Sequence, residues 1–214
     1  MDLAALKDYT LQYWAKASDT HVADPAYYRL AERELRSILE RYLAPGGNIL
    51  DIGCGNGEYT AMIAERAGRL LAFDVSENLL AVARRRCERL GNVSFFQANV
   101  AATKLAFTAG ANAIFCMGVF ACLPDDAQLA TLLAEFADYL VDGGLLVLRD
   151  STVQGGQQYV QYPSGHLGCY RNKSALLEAL RRAGFDLTEE IPLKAAAEPF
   201  NDYFVLHKRG GGPL

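Results

Sequence analysis

The hydrophobic and polar residues follow two alternating periods from about residue 48 onward. Short apolar runs bounded by glycine or acidic residues predict strands at 48–52, 70–74, 93–97, 111–117 and 145–149, with two more near 186–191 and 203–207. Between them, apolar residues spaced three and four apart predict helices near 58–67, 77–90, 125–139 and 174–183. Alternating strands and helices are typical of an α/β domain built around one sheet.

A charged, amphipathic segment precedes the first predicted strand. Residues 27–43 place Leu35, Ile38, Leu39 and Tyr42 on one helical stripe, and a Pro-Gly-Gly sequence then ends the helix. We therefore predict an N-terminal helical cap over residues 1–44, one domain over 45–209 and a flexible tail over 210–214.

Composition narrows the classes of partner. The 214 residues carry a net charge of -4, whereas a nucleic-acid surface needs a basic excess to neutralise phosphates, so no nucleic-acid partner is expected. No apolar run is long enough to span a bilayer, and no secretory signal pattern precedes the domain, so no membrane partner is expected. The five cysteines contain no C-x-x-C pair, which predicts a cytoplasmic protein with reduced thiols and no metal site.

The strongest chemical signal is a glycine-rich turn between the first predicted strand and its helix. It reads Asp51-Ile52-Gly53-Cys54-Gly55-Asn56-Gly57, and Asp74 ends the next strand. Such a turn lets a nucleoside approach the backbone, and the acid can accept two ribose hydroxyls. A dinucleotide turn would need glycine at position 58, where Glu58 stands and would repel a pyrophosphate at the helix N-terminus. The turn therefore predicts a nucleoside ligand without phosphates.

An ordered set of segments around this turn resembles the class I S-adenosylmethionine-dependent methyltransferases, over residues 43–208. The segments are 51–57, 73–76, 96–100, 113–120 and 140–148. The resemblance implies a three-layer, Rossmann-like α/β fold. It has helices on both faces of a seven-stranded, mostly parallel sheet with strand order 3-2-1-4-5-7-6.

The resemblance also implies S-adenosylmethionine as cofactor and S-adenosylhomocysteine as product. In that family the glycine turn holds the methionine part, the acid after the second strand binds the ribose, and residues after the third strand meet the adenine. The implied cofactor-binding residues are Asp51, Gly53, Cys54, Gly55, Gly57, Asp74, Val75, Asn99, Val100 and Met117. Asn99 stands where the family commonly has Asp, and its side-chain carbonyl can still accept from the adenine amine.

Residues for the methyl acceptor are expected at the carboxyl ends of the strands and in the cap. Methyl transfer from a sulfonium mainly requires alignment, so a general base is optional. We expect Asp150 and His166 to position or deprotonate the nucleophile, and the long aromatic segment 151–173 to act as a lid loop. The expected substrate-binding residues are Trp14, Tyr28, Phe120, Tyr170 and Arg171. Two alternatives remain: Arg171 pairs with Asp150, and Trp14 packs in a hydrophobic cap.

A second, weaker resemblance is to the protein N-terminal amine methyltransferases. It rests on Tyr13-Trp14 and on segments 123–125, 149–151 and 170–172, with Ser151 and Asn172 replacing that family's Asn and Asp. The motifs of nucleic-acid base methyltransferases are absent, since Met117-Gly118-Val119-Phe120 occupies their place. The sequence thus predicts methyl transfer to an oxygen or nitrogen of a small metabolite, such as a natural-product intermediate, by a monomer or homodimer. The alternatives are a protein or peptide amine methyltransferase and a non-catalytic cofactor-binding module.

Overall fold

A computed structural model describes residues 2–18, 25–105, 110–194 and 198–210. Its helices are α1 Leu3–Ala15, α2 Pro25–Tyr42, α3 Glu58–Ala64, α4 Glu77–Arg86, α5 Asp126–Tyr139 and α6 Lys173–Arg182, with a 3-10 turn at Phe120–Cys122. Its strands are β1 Asn48–Ile52, β2 Arg69–Asp74, β3 Val93–Gln97, β4 Ala111–Met117, β5 Leu140–Val153, β6 Gln158–Gln161, β7 Leu167–Asn172, β8 Phe185–Lys194 and β9 Phe200–Lys208. Most of the predicted tail lies outside the described residues.

Seven of these strands form the predicted sheet. Strands β3, β2, β1, β4 and β5 pair in that order, all parallel, and β9 then pairs antiparallel with β5 and β8 with β9. Since β8 and β9 are the sixth and seventh strands that the sequence predicts, the order 3-2-1-4-5-7-6 is confirmed. In the described part of the chain, no helix is long and apolar enough to cross a membrane.

The sheet is covered on both faces, which explains its nearly continuous apolar strands. In β4, Ile114 and Cys116 belong to one buried cluster with α5 and α6, while Ala113 and Phe115 belong to a second cluster with α2 and α3. Successive strand residues point to opposite faces, so both sets are buried at once. The result is the three-layer α/β architecture that the sequence predicts.

The predicted helical stripe of the cap is also found. Helix α2 buries Leu35, Ile38 and Leu39 against the sheet, whereas Tyr42 is half-buried and its hydroxyl donates to Glu189. Helix α4 begins where predicted, with Ser76 accepting from the Leu79 N–H at 3.3 Å.

The sequence predicts a lid loop over 151–173, but most of this segment forms a β-hairpin in the structure. Strand β5 continues to Val153, β6 and β7 pair antiparallel, and β7 runs parallel to the end of β5 through Thr152 and Val153. The sequence pattern missed it because β6 is largely exposed and carries no apolar alternation, so pairing with β7 stabilises it rather than burial.

Arg171 joins this hairpin to the turn before α5. Its buried guanidinium donates to the carboxylate of Asp126 at 2.7 Å and to the carbonyl oxygens of Phe120, at 2.8 Å, and Leu123. These contacts differ from both sequence expectations, a substrate contact and an ion pair with Asp150. Arg171 is directed into the protein because two buried carbonyl groups there need donors.

We expect Arg171→Met to lower the free energy of unfolding by about 2–4 kcal/mol, because two buried carbonyls lose their donors. Urea denaturation measures this change. Arg181→Met is the matched control, since the Arg181 side chain is 60% exposed. Wild-type stability combined with a raised KM for the acceptor would contradict the structural role.

Candidate active site

One cavity of about 830 Å³ opens at the carboxyl edge of the parallel strands. The glycine turn after β1 and the ends of β2, β4 and β5 form its floor, while α1, α2 and the β6–β7 hairpin contribute its walls. Parallel strands all end at this edge, which is where open α/β sheets bind ligands.

Two glycines of the turn have a positive φ and no room for a Cβ, but the neighbouring residues that exclude the Cβ differ. Gly53 has φ +71°, and a Cβ there would lie 2.3 Å from Cγ2 of Val119 across the turn. Gly57 has φ +78°, and a Cβ there would lie 2.8 Å from Cβ of Ala83 on α4. Among the predicted cofactor residues of this turn, Gly53, Cys54 and Gly55 line the cavity, but Gly57 does not. Gly57 instead lets α3 and α4 pack closely.

Asp74 lines the cavity at the end of β2 and also holds the turn in place. One carboxylate oxygen accepts from the Gly55 N–H and the other from the Ser76 N–H, both at 2.8 Å. Burial raises the pKa of this carboxyl, and the two N–H donors oppose that shift. Each oxygen keeps a further lone pair, so the carboxylate can still accept the two hydroxyls of a ribose.

Asp51 lies behind the turn rather than in the cavity. Its carboxylate is buried and accepts from the Thr60 hydroxyl at 2.6 Å, which ties β1 to α3. Burial raises the pKa of Asp51 to about 7, and the charge of Asp74 adds to this increase. Asp51 is therefore placed to position the turn rather than to contact a ligand.

The part of the cavity where the adenine is expected is lined mainly by apolar and aromatic side chains. Phe73 and Val75 line the cavity beside Asn99 and Val100, and Phe73 stacks on Phe96 with 5.3 Å between ring centroids. The Asn99 side-chain oxygen accepts from the Ala101 N–H at 3.2 Å, which fixes the side chain while leaving one lone pair. Met117, at the end of β4, also lines the cavity.

Both residues expected to act on the acceptor line the same cavity. Asp150 is buried and accepts from the Ser151 N–H at 2.7 Å and the Ala121 N–H at 3.2 Å. Burial raises the pKa of Asp150 to about 6, against the opposing effects of these N–H donors and of Arg171.

His166 belongs to an aromatic wall formed by the hairpin. Its ring stacks on Tyr162 at 4.2 Å between centroids, and its Nδ1 lies 2.7 Å from the Ser164 hydroxyl. Burial lowers the pKa of His166, so the imidazole is neutral near pH 7. Tyr162 and Tyr170, whose hydroxyls share a hydrogen bond, line the cavity beside it.

The predicted substrate residues divide into two groups. Trp14, Tyr28 and Tyr170 line the cavity, and the indole N–H of Trp14 is buried without a hydrogen-bond partner among the described residues. Phe120 does not line it, because the 3-10 turn directs its ring into the cluster beneath α5, where it is 2% exposed. Arg171 is likewise directed into the protein.

Sequence reasoning missed several cavity residues. Tyr59 on α3, Arg149 on β5 and Asn201 on β9 all line the cavity and come from distant parts of the chain. Arg149 had one signal, its place in the Arg149-Asp150-Ser151 triplet. Tyr59 and Asn201 belong to no motif that the sequence offered.

Helix α1 forms a roof over part of the cavity, and polar contacts hold this helix in place. Lys7 pairs with Asp125 at 2.8 Å, and the Tyr9 hydroxyl donates to the Gly165 carbonyl at 2.5 Å. Beyond the end of α1, Ser76 donates to the Ala17 carbonyl at 2.7 Å. Thr10 is the residue of α1 that is fully buried, so this helix covers the cavity without a hydrophobic core of its own.

The packing role of Gly57 can be separated from its backbone conformation by a matched pair of variants. We expect Gly57→Ala to lower the free energy of unfolding by about 1–3 kcal/mol more than Gly143→Ala, because only Gly57 meets a packed neighbour. Gly143 has φ +73° with no heavy atom within 4 Å of its Cβ position, so it controls for the backbone conformation alone. Equal destabilisation in chemical denaturation would show that packing on Ala83 is unimportant.

Comparison with known proteins agrees with this geometry. A sequence model of the family described as methyltransferase domain matches residues 49–144. A trans-aconitate 2-methyltransferase of Azoarcus sp. (strain BH72) is 34% identical over 132 residues, which cover 59% of this chain and 49% of that protein. The chain therefore spans about half the length of that curated relative.

Solved structures match nearly the whole chain. The complex of DhpI with S-adenosylhomocysteine superposes with a TM-score of 0.74 at 20% identity, covering 98% of this chain and 99% of that one. A 1,6-didemethyltoxoflavin-N1-methyltransferase of Burkholderia thailandensis, solved with 1,6-didemethyltoxoflavin and S-adenosylhomocysteine, gives 0.70 at 21% identity, covering 89% and 93%. At such identities the likeness concerns the fold. Together with the match over residues 49–144, it confirms the resemblance: the chain carries a methyltransferase domain with the fold of the class I S-adenosylmethionine-dependent methyltransferases.

Proposed function

We propose that this chain transfers a methyl group from S-adenosylmethionine to an oxygen or nitrogen of a small metabolite, such as a natural-product intermediate. One observation carries the proposal. The glycine turn, Asp74 and Asn99 meet Asp150 and the aromatic wall around His166 in a single cavity. Residues suited to a nucleoside thus share one cavity with a second set of polar groups, as a two-substrate transfer requires.

The cofactor residues fit this nucleoside. S-adenosylmethionine, when bound, supplies a methyl group activated by a positively charged sulfonium. Asp74 is placed to accept the ribose hydroxyls, Phe73 and Val100 offer apolar surface to the adenine, and Asn99 is placed to accept from its amine. Gly53 and Gly55 bring the backbone close to the methionine part.

The cover that α1 forms over part of the cavity favours a small acceptor over a peptide. Helix α1 is joined to the hairpin turn by Tyr9 and Gly165 and to Asp125 by Lys7, and the rings of Trp14 and His166 lie side by side, with 6.2 Å between their centroids. A protein N-terminal tail would need an open channel through this roof. The trans-aconitate and didemethyltoxoflavin enzymes named above also act on small molecules. Peptide amine transfer is therefore the second candidate.

The chain offers two groups that can position or deprotonate the nucleophile. Asp150 is fixed by two backbone N–H donors, and its pKa of about 6 makes it a carboxylate base at neutral pH. His166 is held through Nδ1, and in the neutral tautomer whose Nδ1–H donates to the Ser164 hydroxyl, Nε2 has the lone pair that can accept a proton. The surrounding aromatic rings exclude water, which favours transfer to the acceptor.

We expect Asp74→Ala to weaken S-adenosylmethionine binding by about 2–4 kcal/mol, because two charge-assisted hydrogen bonds to the ribose are lost. Isothermal titration calorimetry measures this change. Asp138→Ala is the control, since the Asp138 side chain is 68% exposed. Unchanged affinity, or tight NAD binding by the wild type, would contradict the cofactor assignment.

Turnover is expected to depend on pH through the ionisation of Asp150. If Asp150 is the base, turnover falls as pH drops below about 6, where the carboxyl becomes protonated. Asp150→Asn should lower turnover by roughly a hundredfold, remove this acidic limb, and leave cofactor affinity nearly unchanged. His166→Gln tests the second group, and Ser164→Ala tests whether the contact at Nδ1 is needed to hold the ring.

The outcome separates the candidate functions. Turnover with small acceptors but not with peptides supports the proposal, and the reverse supports peptide amine transfer. Cofactor binding without turnover on any acceptor would support a non-catalytic module. Wild-type pH profiles in the Asp150 and His166 variants would remove both residues from the mechanism.

A further inference from the structure

A buried arginine in the cavity has no acidic partner. Arg149, near the end of β5, lines the cavity and is only 8% exposed. Among the residues that the structure describes, no carboxylate oxygen lies within 4.0 Å of its side-chain nitrogens, and its Nε–H is buried without a hydrogen-bond acceptor.

Tyrosines surround this guanidinium instead. Its Nη1 donates to the Tyr59 hydroxyl at 2.6 Å, and its central carbon lies 4.9 Å from the Tyr59 ring centroid and 5.7 Å from that of Tyr27. Aromatic faces attract a cation but do not satisfy its N–H donors. The neighbouring acid, Asp150, lines the same cavity but does not pair with Arg149, because its carboxylate accepts from the Ser151 and Ala121 N–H groups.

An unpaired buried charge destabilises a folded protein, so proteins normally pair it or use it to bind a ligand. Arg149 opens onto a cavity rather than onto packed side chains. Its planar fork of N–H donors matches the two oxygens of a carboxylate better than any neutral acceptor does. Because Tyr59 accepts from Arg149 through its oxygen, its own O–H remains able to donate to the same anion.

We propose that Arg149 is an anion-binding residue of this cavity and binds the carboxylate of a small-molecule ligand, with Tyr59 beside it. The proposal rests on the proposed function and deepens it. Two ligands of the reaction can supply a carboxylate: the cofactor, through its amino-acid end, and an acidic methyl acceptor. Most of the expected cofactor residues lie at the ends of β1, β2 and β3, whereas Met117 on β4 pairs with Arg149 on β5. Arg149 is therefore within the reach of either ligand, and the binding measurements must separate the two sources.

The cofactor arm compares two thioethers that share the adenosine part. S-adenosylhomocysteine carries the amino-acid carboxylate, and 5′-methylthioadenosine lacks it. If the cofactor supplies the anion, Arg149→Gln should weaken S-adenosylhomocysteine binding about ten- to a hundredfold and leave 5′-methylthioadenosine binding unchanged. Arg149→Lys keeps the charge without the planar fork and should recover part of the affinity.

The acceptor arm uses trans-aconitate as an acidic probe and its neutral trimethyl ester as the matched control. If an acceptor supplies the anion, the wild type binds the acid in preference to the ester when saturated with S-adenosylhomocysteine. Arg149→Gln should then abolish this preference while cofactor affinity is retained. Arg36→Gln, whose side chain is 58% exposed, controls for net charge.

Thermal unfolding without ligand separates a binding role from a structural one. Arg149→Gln removes a buried unpaired charge and should unfold no earlier than the wild type. The inference is overturned if Arg149→Gln and Arg149→Lys bind all four probes as the wild type does. Failure of the wild type to bind either thioether would instead contradict the proposed function, and direct titration of trans-aconitate would still test Arg149.

Discussion

The parallel pairing of β1 with β2 and β4 is the constraint on which the cavity depends. Ile52 pairs with Phe73 on one side and Cys116 on the other, so Gly53, Asp74 and Met117 follow their strands at the same edge. The Gly55 N–H then donates to Asp74, which locks the turn to the neighbouring strand. A one-residue shift of register would reverse the buried faces of β1, so burial on both sides fixes this arrangement.

Charges at this edge are buried but differ in how they are compensated. Asp51, Asp74 and Asp150 lie within or at the end of strands β1, β2 and β5, and each accepts at least one hydrogen bond at 2.6–2.8 Å. Burial nevertheless raises the pKa of all three, because the protein replaces only part of the lost water. Arg149, buried at the same edge, has no carboxylate partner among the described residues, and its guanidinium donates to the Tyr59 hydroxyl instead.

Helix α1, the roof of the cavity, is held in place by other interactions than the strand ends that form the floor. The floor consists of strand ends anchored in two hydrophobic clusters, whereas α1 is held by Lys7, Tyr9 and the Ala17 carbonyl. Exposed or half-buried polar contacts exchange readily with water and contribute little free energy. The roof is therefore expected to be less stable than the floor, whose strand ends are anchored by hydrophobic burial.

The sequence by itself determined the sheet, the glycine turn and the position of Asp74. These features depend on local patterns, because apolar runs, helix caps and left-handed glycines act within a few residues; the predicted bounds of β1, β3 and β4 match the structure. Tertiary structure alone decided that Phe120 and Arg171 turn inward, that 151–173 pairs into a hairpin, and that Arg149 meets Tyr27 and Tyr59. A side chain's direction and partners follow from packing between segments far apart in the chain, and no local pattern encodes those distances.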